Sequence, residues 1–117
     1  MTHRFKDLEI WKQCRLLCTE IYLISAAFPE NEKFGMTNLL RRASLSIPSN
    51  IAEGSSRSSN KEFNRFLDFS IGSAYEVETQ LLISSDLKFI TSDQIQQILP
   101  KLNSIVKMIL SFKKTIK

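Results

Sequence analysis

The sequence predicts an all-α fold: an antiparallel up-down-up-down four-helix bundle, left-handed in its supercoil. Three observations lead there. An apolar repeat of alternating four- and three-residue steps persists through four segments, the 117 residues include only three Gly and three Pro, and helix-start signals mark breaks between segments. A 3.5-residue repeat held over many turns belongs to helices packed side by side at a shallow angle. Few Gly and Pro disfavour turn-rich β structure.

The first helix is expected over about 7–28, carried by Ile10, Cys14, Leu17, Ile21, Ile24 and Phe28. Pro29 and the polar run Glu30-Asn31-Glu32-Lys33 end it. The second, about 35–56, presents Met36, Leu40, Ala43, Ile47 and Ile51. The third, about 60–87, follows the Gly54–Ser59 loop and repeats the spacing through Phe63, Leu67, Ser70, Ala74, Val77, Leu81 and Ser84. Ser59 with Glu62 starts it in a capping-box pattern, and Thr91 with Gln94 starts the fourth, about 92–115. That helix carries Ile95, Ile98, Leu102, Ile105, Ile109, Phe112 and Ile116. Short connections force antiparallel neighbours, giving a single domain, 1–117, as a rod about 30 Å long. Pro48 and Pro100 fall inside helices and should kink them.

Composition narrows the function classes. No apolar run reaches the ~18 residues of a membrane span, and the N-terminus lacks a signal peptide's hydrophobic stretch, so a cytoplasmic protein with no membrane partner is expected. Cys14 and Cys18 lie at i, i+4 on the apolar side of the first helix. A zinc site wants about four ligands and the one His is His3, so buried free thiols are expected, with no metal and no cofactor. A small helical ribonuclease of the HEPN type needs an Arg followed within about six residues by a His, and His3 precedes every Arg. No Gly-rich phosphate loop or Ser-His-Asp set is present, so the chain reads as a non-enzyme.

The second helix reads Arg41-Arg42-Ala43-Ser44-Leu45-Ser46-Ile47-Pro48-Ser49-Asn50-Ile51-Ala52-Glu53-Gly54. This stretch resembles the signature of the four helix bundle protein family, also called 23S rRNA intervening-sequence proteins. Phe5 through Trp11, Phe28-Pro29, Phe66-Leu67 and Gly72-Ser73 with Glu76 fall in the family's order, so the resemblance spans nearly the whole chain. Asn38-Leu39-Leu40 departs from a Gln-containing sequence expected there. Similar proteins are encoded within insertions in bacterial 23S rRNA genes. A related branch is the accessory subunit of diversity-generating retroelements, a pentamer that binds reverse transcriptase and nucleic acid. The resemblance implies a homopentamer with an RNA- or DNA-linked role and no known biochemical activity.

Arg42, Ser46, Asn50 and Glu53 form a polar stripe at i, i+4, i+8 and i+11, with Glu76 and Glu78 of the third helix expected to face it. One reading is a ligand or phosphate site. The favoured one is a structural polar seam that also satisfies backbone groups freed by Pro48. Outside its seam the first helix still carries Leu8, Trp11, Leu16, Cys18, Tyr22 and Leu23, more apolar surface than one bundle core uses. Gly72 and Ser73 admit close approach of another backbone. Leu8, Trp11, Tyr22, Gly72 and Ser73 are therefore candidates for a subunit interface.

In an up-down bundle one end gathers Arg4, Lys6, Arg57, Lys61, Arg65, Lys113, Lys114 and Lys117 against Asp7, Glu9, Glu53 and Glu62, so the whole formal net charge of +4 falls there. Such a pole, repeated in a cyclic oligomer, makes a basic rim for RNA or DNA. The plainer alternative is that terminal lysines complement the fourth helix's dipole and aid solubility. A protein scaffold or accessory subunit, supporting a partner such as a reverse transcriptase without touching nucleic acid, is the competing function.

Overall fold

The computed structural model describes residues 3–116. A 3-10 turn at Phe5–Asp7 leads into α1 (Glu9–Ser25), and a second at Glu30–Glu32 precedes α2 (Met36–Ser55); α3 (Asn60–Asp86) and α4 (Ser92–Thr115) follow. The last three match the expected bounds closely, and the first is shorter at both ends. Its start is taken by the separate 3-10 turn, and its end comes before Phe28, which the following Pro29 disfavours in α conformation. Phe28 stays in the core from the loop, its ring 5.6 Å from Phe89.

Cross-helix contacts set the direction of each neighbour. Cys18 meets Ser44 and Tyr22 meets Arg41 between α1 and α2. Ser46 meets Ser73 between α2 and α3, while Gly54 lies against Phe63 and Phe66. Asn64 meets Ile116 and Asp68 meets Lys113 between α3 and α4. Numbers rise on one helix as they fall on its neighbour, so sequential helices run antiparallel. Helix α4 closes on α1 through Lys101 and Glu20, and the diagonal pairs make no close backbone approach among the described residues.

Four apolar stripes converge on one core in which Ile21, Leu40, Ile47, Ile51, Leu67 and Leu81 are fully buried. The molecule measures 46 × 25 × 20 Å, longer than about 30 Å because the 27 residues of α3 alone span about 40 Å. Both internal prolines sit in continuous α-helix. No helix among the described residues is long and apolar enough to cross a membrane.

Helix ends are capped as the sequence suggests, with one difference. Thr91 and Gln94 form a full capping box at 3.0 and 3.1 Å. At α3, Ser59 accepts from the Glu62 amide at 3.2 Å, but the Glu62 carboxylate turns to Arg65 instead of completing the box. Helix α3 ends in a Schellman pattern: the Phe89 amide donates to the Ser84 carbonyl and the Lys88 amide to that of Ser85. Lys88 holds the left-handed position, φ 65°, where glycine is usual.

Two backbone substitutions follow with opposite signs. Lys88→Gly should raise stability by about 1 kcal/mol by relieving the left-handed penalty on a β-carbon. Gly54→Ala should lower it by about 1–3 kcal/mol, because the added Cβ meets the Phe66 Cβ at 2.7 Å and the Phe63 ring at 2.9 Å. Urea unfolding reads both; a Gly54→Ala protein as stable as the parent would show that the α2–α3 contact yields freely.

Candidate functional site

The polar stripe of α2 divides in two. Each step of four residues advances about 40° around a helix, so Asn50 lies about 80° from Arg42. That rotation carries Ser46 and Asn50 to the α3 side and leaves Arg42 and Glu53 outward. The Ser46 and Ser73 hydroxyls share a hydrogen bond of 2.8 Å, and Asn50 Nδ2 donates to the Ser46 carbonyl at 2.8 Å and to its hydroxyl at 3.0 Å. Arg42 and Glu53 stay outside it, half-buried at most, and Glu53 pairs with Arg57 at 2.7 Å. Glu76 is exposed and Glu78 half-buried, and neither joins the seam. The seam is thus Ser46, Asn50 and Ser73, without Arg42, Glu53 or Glu76.

The carbonyl freed by Pro48 is satisfied from a different helix. A proline at 48 removes the donor that Ser44 O, four residues earlier, would otherwise receive. Cys18 Sγ on α1 donates to that oxygen at 3.0 Å. Ser70 Oγ on α3 donates to the nearby Ile47 carbonyl at 2.8 Å. Both cysteines are free and buried, as expected from their place on the apolar face. Burial pushes the Cys14 thiol far up, with Cys18 nearby adding to the rise. Burial also pushes Cys18 up to about 11, Ser44 offsetting part of the shift.

Several interface candidates are placed differently from expectation. Ser73 is buried against α2, because it is the partner of Ser46. Leu8 and Trp11 are half-buried against the core, since the Phe5–Asp7 turn folds back and sets the Phe5 ring 5.1 Å from Trp11. Tyr22 lies under Arg41, whose guanidinium is 4.5 Å from the ring centroid. Gly72 is open: a Cβ there meets nothing within 4 Å. Tyr22 is still partly open, and other exposed apolar side chains include Leu16 and Leu23 on α1, 62% and 71% exposed, and Phe69, Tyr75, Leu82 and Ile83 on α3.

The basic residues do gather at one end. His3 sets its ring edge-on to Phe63 and Phe112, each 5.5 Å away, and those two lie 5.6 Å apart, tying the N-terminal arm to the start of α3 and the end of α4. Half of the eight cations carry local partners there: Arg4 with Asp7, Arg57 with Glu53, Arg65 with Glu62, and Lys113 with Asp68. The first three are i, i+3 or i, i+4 pairs at the surface. Lys6, Lys61 and Lys114 are exposed and form no ion pair among the described residues; Lys117 lies outside the described residues.

A second basic feature emerges only in three dimensions. A groove of about 710 Å³ runs between α1 and α2, lined by Lys6, Trp11, Arg15, Tyr22, Leu45 and Pro48 among others. Arg15 stacks over Trp11 at 5.6 Å, and Arg41 stacks over Tyr22. The i, i+4 spacing of Trp11 and Arg15 carries a signal in the sequence; the pairing of Tyr22 with Arg41 needs the register between helices.

The model of the 23S rRNA-intervening sequence protein family matches residues 6–111. Among solved structures, the chain is similar to a protein of unknown function from the S23 ribosomal protein family of Bacteroides thetaiotaomicron. The two are 24% identical with a TM-score of 0.83, over 90% of this chain and 95% of that one, a likeness of fold. No curated protein matches the chain.

Two predictions rest on the thiols. Cys18→Ala should cost about 1–3 kcal/mol in the parent, where Ser44 O loses its donor. It should cost less in a Pro48→Ala background, where the restored amide serves that carbonyl; equal costs in a double-mutant cycle would refute the coupling. Separately, the folded thiols stay protonated where unfolded ones ionise, near 9.0. Their contribution is full below about pH 9; that of Cys18 is lost as pH rises through about 11, and that of Cys14 goes on falling above it. The melting temperature should fall over that range, and less steeply in a Cys14→Ala variant.

Proposed function

From the premise that the chain belongs to the 23S rRNA-intervening sequence protein family, we propose that it is a non-catalytic, self-associating bundle that binds nucleic acid through its basic end. The observation that carries the nucleic-acid reading is the cluster of cations at the pole shared by the N-terminal arm, the α2–α3 loop and the end of α4. Lys6, Lys61 and Lys114 form no ion pair there among the described residues, Arg4, Arg57 and Arg65 pair only with local surface acids, and Arg57 and Arg65 also lie over the Phe66 and Phe69 rings. Exposed pairs contribute only about 0–1 kcal/mol, so phosphates compete for those cations easily. The hydroxyl and amide seam is satisfied internally, and His3 is engaged by two phenylalanine rings. The seam's hydroxyls and amide are committed to one another and no carboxylate or imidazole joins them, which supports a binding role over catalysis there.

Self-association rests on the outer face of α3. An interior helical glycine costs about 1 kcal/mol relative to alanine, and nothing within the subunit requires one at Gly72. Phe69, Tyr75, Leu82 and Ile83 are exposed along the same helix. A second copy seated there would explain both, and the family resemblance points to five copies.

A competing reading, a scaffold for a partner protein without nucleic-acid contact, is favoured by Phe34, 88% exposed in the loop before α2. Light scattering should give a multiple of 13.5 kDa, and Gly72→Arg should reduce it; a monomer mass for the parent would refute assembly. RNA binding should weaken with salt. Neutralising Lys113, Lys114 and Lys117 should lower the slope of log K against log salt by about 0.7–0.9 for each phosphate that no longer meets a cation. RNA binding that is absent or insensitive to salt would refute the basic-end reading, and its absence would leave the scaffold.

A further inference from the structure

The α1–α2 groove is continuous with the basic end. Lys6 and Ala52 line both it and the hollow beneath the N-terminal arm. From there it climbs past Trp11 to Tyr22, eleven residues or about 17 Å along α1. Its floor includes Leu45 and Pro48, and no carboxylate is among its lining residues.

Arg41 is not itself a lining residue but lies over the Tyr22 ring at the groove's upper end. It is held without an acidic partner among the described residues, unlike the paired arginines of the basic end. Arg41 Nε donates to Ser25 Oγ at 2.8 Å and Nη2 to the Tyr22 carbonyl at 3.0 Å, with the guanidinium over the Tyr22 ring. Every one of these partners is neutral. The group is therefore fixed in place with its full charge undiminished, and its geometry is settled before any ligand arrives. Arg15 likewise stacks on Trp11 and forms no ion pair among the described residues. Two aromatic–guanidinium stacks in a groove without acids match a ligand that is both anionic and planar.

We infer that this groove takes a segment of single-stranded nucleic acid, its phosphates along Lys6, Arg15 and Arg41 and its bases against the Trp11–Arg15 and Tyr22–Arg41 stacks. The inference rests on the nucleic-acid reading of the basic end and adds to it a track and a strand state. Unpaired bases present free faces to aromatic rings and guanidinium planes, whereas a duplex keeps its bases stacked on one another. An acidic peptide would satisfy the cations but leave the aromatic stations unused.

Trp11 is the sole tryptophan, so its fluorescence reports on the groove directly. The full-length protein is titrated with a short oligouridylate, a duplex of the same length and polyglutamate, while anisotropy of end-labelled oligouridylate follows total binding. The single strand should quench Trp11 in a salt-sensitive way; the duplex and polyglutamate should not. Arg15→Gln, at an exposed position, and Tyr22→Leu should each weaken oligouridylate binding at least about fivefold, and Lys107→Gln on α4 should leave it unchanged. Binding by anisotropy with Trp11 silent and both variants at parent affinity would overturn the groove while sparing the basic end. No binding at all would overturn both. Equal quenching by polyglutamate would assign the groove to an acidic protein, and a drop in oligomer mass in Tyr22→Leu would assign it to a second copy; either result overturns the inference.

Discussion

The Ser44 carbonyl, stripped of its helical donor by Pro48, is the constraint on which much of the architecture depends. It lies in a buried stretch of α2, where an unpaired carbonyl costs about 1–3 kcal/mol. Cys18 of α1 supplies a donor in place of the missing amide. One turn on, the Ile47 carbonyl takes a hydroxyl from Ser70 of α3. Helix α2 is thus secured at its middle by both neighbours, and these contacts fix register as well as stability. With Cys18 over Ser44, the antiparallel pairing brings Tyr22 to Arg41. With Ser70 at Ile47, it brings Gly54 onto Phe63 and Phe66.

That dependence explains what could be read from the sequence. Four helices, their approximate ends and the apolar core follow from local periodicity and capping, as with Thr91 and Gln94. The partners of polar residues do not, because they are set by register between helices. Ser46 and Asn50 are recognisable as a seam, but the rotation of α2 excludes Arg42 and Glu53 and recruits Ser73, a residue expected at a subunit interface. Trp11 and Leu8 form part of the surplus apolar face of α1, yet a three-residue 3-10 turn brings Phe5 back over Trp11 and covers that portion. So short a turn has no periodicity to reveal it. Leu16 and Leu23 face away from the turn and remain exposed.

The gathering of cations at one end is legible, because it needs only helix order and direction. Their pairing is not. Asp68 sits two turns into α3, yet it meets Lys113 because α4 runs alongside. The end is therefore less strongly charged at short range than a tally of its basic residues suggests. Exposed local pairs of this kind are weak, so the positive field seen by a distant polyanion survives better than the contacts do. Such an end suits capture and orientation more than tight, selective holding.

Selective holding requires groups fixed in position but unsatisfied in charge, and the two polar features of α2 differ on that point. In the seam, Ser46, Asn50 and Ser73 are neutral and serve one another, so a ligand arriving there gains little and must break existing hydrogen bonds. At Arg41 the hydrogen bonds go to a hydroxyl and a carbonyl, which fix the guanidinium without neutralising it. The same helix thus carries a closed network toward α3 and an open charge toward α1. The α3 side ties α2 to its neighbour through neutral groups. The α1 side orients the Arg41 guanidinium through two hydrogen bonds and leaves its charge unpaired among the described residues.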